Sequence, residues 1–206
     1  LAVATASIPA DFTEGAESSL LDLYVIAHAV EGLPPGAYYL RRAERALELL
    51  EQGEFRAIAG RLGLFQELPA AAAANVYCLA DLEPILARFG NRGYRAAQLE
   101  GGIVGGRLYL AAYALRFGAT GLTFLDDEVT EFFSPHADGR SVMFLTALGR
   151  TVRRSPAPRR RGHSSPRPRR KQRYAEAEAS QPRHSRTSRS TVTSGRSRAF
   201  STRRTR

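Results

Sequence analysis

Leu99-Glu-Gly-Gly-Ile-Val-Gly-Gly-Arg-Leu-Tyr-Leu-Ala-Ala112 sets Gly101, Gly102, Gly105 and Gly106 in the middle of the longest helical stretch of the chain, residues 94–117. Each glycine inside a helix costs ~0.5–1 kcal/mol relative to alanine, so the four cost roughly 2–4 kcal/mol. Something must approach closely enough to offset that, either another backbone or a flat cofactor. A tight helix contact in water is the simpler of the two. The glycines form two overlapping Gly-x-x-x-Gly pairs, but the membrane-dimer use of that motif fails here. Arg107 interrupts the apolar run, and no stretch reaches the ~18 apolar residues that a bilayer span needs.

Outward from this helix, residues 119–124 and 142–148 have the composition of strands, with a helix over 127–133 between them. Toward the N-terminus, residues 22–29 read as a strand, Gly32-Leu-Pro-Pro-Gly36 as a turn and 37–40 as a returning strand. Ala46-Leu-Glu-Leu-Leu50 is ambiguous, helical in composition and strand-like in length. Residues 55–64 have helical spacing in Phe55, Ile58 and Leu62; 75–80 are a buried strand and 83–89 a short helix. The alternation predicts a layered mixed α/β domain over residues 20–150. A flexible segment, 1–19, precedes it.

Charge divides the chain of 206 residues at about position 150. Residues 1–150 hold 12 of the 30 Lys+Arg and 18 of the 20 Asp+Glu, a net charge of −6, whereas residues 151–206 carry +16. A basic globular domain is therefore ruled out. Residues 151–206 read Arg, Ser, Pro and Thr, with Val152, Val192 and Phe200 as the large aliphatic or Phe side chains. Such a composition cannot bury enough apolar area to offset chain entropy, so a disordered tail is expected. Its clustered arginines suit nonspecific binding of nucleic acid; the alternative is an extension without a selected role, such as a misread frame. The lone Cys78 excludes a disulfide framework or a cysteine-based metal site.

Few constellations carry chemistry on their own. Gly118-Ala-Thr-Gly-Leu-Thr123 enters a strand rather than leaving one, so it is no dinucleotide fingerprint, yet a Thr-Gly there can present a bare N–H to a ligand. Gly90-Asn-Arg-Gly-Tyr-Arg95 puts Arg92 and Arg95 at a helix start, where the dipole favours anions; an ordinary capped loop also accounts for it. Asp126-Asp127-Glu128 suits the first turn of a helix better than a metal. His28, His136 and Cys78 read as structural, and Ser134 lacks a nucleophile-elbow setting.

Taken in order, Val30-Glu-Gly-Leu-Pro-Pro-Gly-Ala-Tyr38, Gly90-Asn-Arg-Gly-Tyr-Arg95, Leu99-Glu-Gly-Gly-Ile103 with Leu108-Tyr-Leu-Ala-Ala112, Gly118 to Asp127, and Ala147-Leu-Gly149 resemble the FMN-dependent nitroreductase family. The nearest branch is the SagB-type peptide dehydrogenases, which oxidise azoline rings to thiazoles and oxazoles. The resemblance implies a cytoplasmic homodimer of nitroreductase-like α+β fold, three layers with a mixed sheet, with no membrane partner and FMN at the subunit interface. It implies electron exchange between NAD(P)H or another donor and an organic acceptor. The glycine-rich helix becomes the central dimer helix. Thr120, Gly121 and Leu122 match the strand-start segment whose N–H approaches the flavin edge, and Arg150 stands where the family often places a phosphate contact. Arg92 and Arg95 are the other basic residues beside family motifs. Three departures accompany the match. The arginine-rich phosphate clamp and the Pro-Ser-x-Gly-type loop of the family's N-terminal half are not found, which suggests a C-terminal portion with weak or no activity of its own. Arg88-Phe89 replaces Lys-Tyr, and Gly106-Arg107 replaces Gln-Asn. A noncatalytic dimerisation module of the same fold is the alternative.

Overall fold

Short connections decide the first three strands. In the computed structural model, which describes residues 1–12 and 19–150, β1 (Asp22–Ala27), β2 (Gly36–Arg41) and β3 (Ala46–Gln52) form an antiparallel meander. Gly36 is required at the β2 entry, because a Cβ there would lie 2.7 Å from the Glu51 carbonyl oxygen. The ambiguous segment at 46–50 is a strand. Its pairing, Leu40 with Leu47 and Tyr38 with Leu49, outweighs the helical propensity of Ala, Leu and Glu. Two short helices follow, α1 (Arg56–Leu62) and α2 (Glu67–Ala71). The second has no counterpart in the sequence pattern. Pro69 fits its first turn, where a backbone N–H has no partner inside the helix.

β4 (Ala74–Asp81) then crosses the centre of the sheet, followed by α3 (Leu82–Phe89) and α4 (Asn91–Ala114). Gly90, at φ 59°, turns the chain between the two helices, and Gly93 packs where a Cβ would meet the Ile85 carbonyl at 2.7 Å. β5 (Gly118–Leu122), α5 (Asp126–Phe133) and β6 (Arg140–Gly149) complete the domain. The strand order is β3-β2-β1-β4-β6-β5.

The family resemblance implies a mixed sheet, but the five pairings among the described residues are all antiparallel. The reason is topological. The α3–α4 crossover does leave β4 and β5 running parallel, and β6 inserts between them, opposed to both. Three layers result, as expected. One face of the sheet packs Leu23, Val25, Val76 and Cys78 against Ile85, Ala97, Val104 and Leu108 of α3 and α4. The other packs Tyr24, Ile26, Tyr77 and Leu145 against α1 and α5. A register shift opposite Cys78 and Leu79 leaves Met143 unpaired, so Met143 and Phe144 both face α4.

Residues 1–8 lie against the domain. Ala4 is buried in the α4-side core, Arg107 donates to the carbonyls of Ala6 and Ser7, and Arg42 donates to those of Thr5 and Leu21. Buried Glu100 accepts from the Leu20 N–H and the Ser19 hydroxyl. The tail expected over 151–206, with its nucleic-acid reading, lies outside the described residues. No helix among the described residues is long and apolar enough to cross a membrane.

Candidate functional site

The four glycines of α4 separate into two pairs with different neighbours. Gly101 and Gly105 face the sheet: a Cβ on Gly105 would lie 2.4 Å from the Phe144 ring, and one on Gly101 3.4 Å from the Phe144 Cβ. The close neighbour is therefore an aromatic ring of β6, where a helix backbone is expected. Gly102 and Gly106 have nothing within 4 Å. They belong to an outward stripe with Leu99, Leu110 and Tyr113, at spacings of three and four residues, and those three large apolar side chains are 56%, 70% and 60% exposed. Exposed Arg92 and Arg95 continue the same stripe at the N-terminal end. An apolar, glycine-floored helix face of this length has no partner within the described chain.

β5 is the last strand of the sheet, so its outer edge must find partners for its N–H groups. Gly121 pairs across from Thr146 and faces α4, with Phe144 and Tyr109 3.3 and 3.5 Å from the position a Cβ would take. Its N–H donates to the Tyr109 hydroxyl. Thr120 is exposed beside it, and Leu122 turns to the opposite core. Thr146 buries a hydroxyl without a hydrogen-bond partner among the described residues. Arg150 is exposed just after Gly149, which pairs with Gly118, and exposed Arg116 precedes β5.

The structure thus brings Thr120, Gly121 and Leu122 together at one end of α4, with Arg150 beyond them. It sets Arg92 and Arg95 at the other end. The 14 residues from Arg95 to Tyr109 span roughly 21 Å of helix at ~1.5 Å per residue. Tested against a flavin mononucleotide, this edge offers a ring-edge donor, an aromatic floor and an orphaned hydroxyl. Among the described residues of one chain it offers no cluster of arginines for the phosphate. The sequence carries no signal that Tyr109 meets Gly121, because only the packing of α4 on β5 brings the two together.

A second polar group lies on the other face of the sheet. Arg140 pairs with Asp22 at 2.9 Å, Asp22 accepts from the Tyr39 hydroxyl at 3.0 Å, and the Tyr24 hydroxyl lies 2.9 Å from His136 Nδ1. Burial pushes the Tyr24 phenol well above its ordinary range. Beside it opens a cavity of about 360 Å³ lined by Ala37, Leu50, Phe132, Pro135 and His136. His28, buried against Asn75, is held below the usual histidine range by burial and by Arg56. Cys78 is a core residue, its thiol pushed up to about 12 by burial. Asp126, Asp127 and Glu128 occupy the first turn of α5, and Glu128 pairs with Arg61 at 2.7 Å.

The same architecture is found in solved structures. A protein of Anabaena variabilis assigned as a nitroreductase superposes with a TM-score of 0.61 and 34% identity over 65% of this chain. The chain has the nitroreductase fold. The fold recurs in the McbBCD microcin synthetase complex of E. coli with truncated pro-MccB17 bound, at TM-score 0.60, 16% identity and 73% of this chain. It recurs again in a protein of Ralstonia eutropha assigned as a nitroreductase, at TM-score 0.56, 16% identity and 73% coverage. The chain spans 27% of the length of the Anabaena protein, 61% of the microcin synthetase chain and 70% of the Ralstonia protein. No family model and no curated protein matches it.

Proposed function

We propose that this chain is part of an FMN-dependent oxidoreductase with its flavin site shared between two copies that meet at the open face of α4. The observation that carries the reading is the separation of the site residues along one helix whose outward stripe is apolar and glycine-floored. An isologous pair related by a twofold near Gly102 and Gly106, with the helices nearly antiparallel, sets residue 92 of one copy opposite residue 116 of the other. Arg92 and Arg95 then approach the Thr120-Gly121 edge and Arg150 across the interface. The arginines would hold the phosphate, and the β5 edge would meet the ring, with Phe144 beneath it excluding water. The chemistry that bound FMN supplies there is two-electron transfer from NAD(P)H or another donor to an organic acceptor.

A SagB-type substrate is supported by fold alone. Arg88 stacks over the Phe89 ring, its Cζ 4.5 Å from the centroid, where that branch has Lys-Tyr, and a guanidinium held charged is no general base. On this reading the chain carries the C-terminal part of such a protein, with weak or no activity in isolation. Complementation tests the shared site. Arg95→Glu and Gly121→Val should each abolish FMN binding followed by fluorescence quenching, and mixing the two variants should restore part of it, because a heterodimer keeps one intact site. Mixtures that bind no better than either variant would place the whole site in one copy. A second reading rests on the +16 charge of residues 151–206: nonspecific nucleic-acid binding, whose affinity should fall steeply with salt and vanish on deletion after Arg150.

A further inference from the structure

We infer that the hydroxyl of Tyr109, rather than the bare N–H of Gly121, is the hydrogen-bond donor that the β5 edge presents to its ligand. The inference rests on the flavin reading above and concerns how that site is built. A backbone N–H has one proton to give, and the proton of Gly121 is already directed at the Tyr109 oxygen. That oxygen accepts one hydrogen bond and still carries its own proton, which meets no acceptor among the described residues. Tyr109 is half-buried at the rim of α4, so its hydroxyl is within reach of a ligand lying along the edge.

Its place is set from three sides. Tyr113, one turn on, stands edge-to-face against the Tyr109 ring with centroids 6.1 Å apart. Gly105, one turn back, has no side chain and lets the Phe144 ring fill the space beneath. Gly121 keeps the strand bare opposite the hydroxyl, where any Cβ would already be 3.5 Å from the oxygen. A hydroxyl that accepts from a backbone N–H is polarised toward donating, since hydrogen bonds in series strengthen one another. The ligand chemistry this suits is a planar heteroaromatic ring with an acceptor at its rim. Gly121 then acts through Tyr109, as a positioning residue.

The test uses the full chain, ¹⁵N-labelled, and Tyr109→Phe, with FMN titrated into each and followed by NMR. Loss of the hydroxyl should speed amide exchange at Gly121 and weaken FMN binding about five- to tenfold, the effect of one uncharged hydrogen bond. In the unaltered protein the Tyr109 ring resonances should move with added FMN, a measurement that needs no variant. Equal or tighter binding by Tyr109→Phe would overturn the inference, because the tyrosine would then be holding the place of a ligand that displaces it. FMN that shifts no resonance of either protein would overturn the flavin reading itself, and this inference with it.

Discussion

At the scale of single residues, His28 shows how burial turns a side chain into a source of pH dependence. It packs beside Asn75 Nδ2 at 3.1 Å, with Arg56 near enough to oppose its charged form. Burial, and secondarily Arg56, lower its folded pKa below the ordinary 6.5. Below pH 6.5 the unfolded chain therefore binds a proton that the folded chain refuses, and stability must fall as the pH drops through that value. Above it both states are neutral and the contribution is constant. Urea unfolding at pH 7.5 and pH 5 should show a smaller acid loss for His28→Gln than for the unaltered protein. Equal losses would assign the acid sensitivity to other groups. From the sequence, His28 reads as structural on its position in a strand alone. Its partner Asn75 lies 47 positions away, and only the β1–β4 register brings the two together.

At the scale of the element, α4 carries both faces of the problem. Its length and its four glycines are plain in the sequence, as are β1, β4, β6 and α5, because their apolar spacing is strong. The allocation of glycines to faces is not, since two overlapping pairs one residue apart look alike until Phe144 takes one of them. That choice follows from the irregular register in β6, which turns both Met143 and Phe144 toward α4. The same limit applies to the candidate site. Thr120-Gly121 was legible as a strand start, whereas its engagement by Tyr109 depends on how α4 lies on β5. Matched substitutions separate the two faces. Gly105→Ala puts a methyl against a packed ring, where overpacking costs ~1–3 kcal/mol and outweighs the ~0.5–1 kcal/mol gained in helix propensity. Its melting temperature should drop. Gly106→Ala fills open space and should raise the melt of the dilute protein, while weakening self-association measured by sedimentation. Identical effects of the two would mean that α4 does not divide into an inner and an outer face.

At the scale of the whole molecule, charge decides what a flavin phosphate would meet. Residues 1–150 carry a net −6, and their arginines near the proposed site are split between the two ends of α4. FMN differs from riboflavin only by its phosphate, so the ratio of their affinities reads out how well that group is held. A charge-assisted hydrogen bond contributes ~1.5–3 kcal/mol. Two or three amount to roughly 3–9 kcal/mol, or two to six orders of magnitude at ~1.4 kcal/mol per decade. Within one copy Arg95 lies roughly 21 Å of helix from the ring edge and Arg92 farther still, so neither can apply them to a ligand bound at Gly121. Two copies joined at α4 can apply some of them. The dilute protein is therefore expected to be colourless and to prefer FMN over riboflavin by about tenfold or less. At concentrations where sedimentation shows a dimer, the preference should grow to about a hundredfold or more, and it should fall with added salt because the gain is electrostatic. A large preference for FMN in a sample that sediments as a monomer would show that one copy grips the phosphate unaided, and the shared site would have to be abandoned.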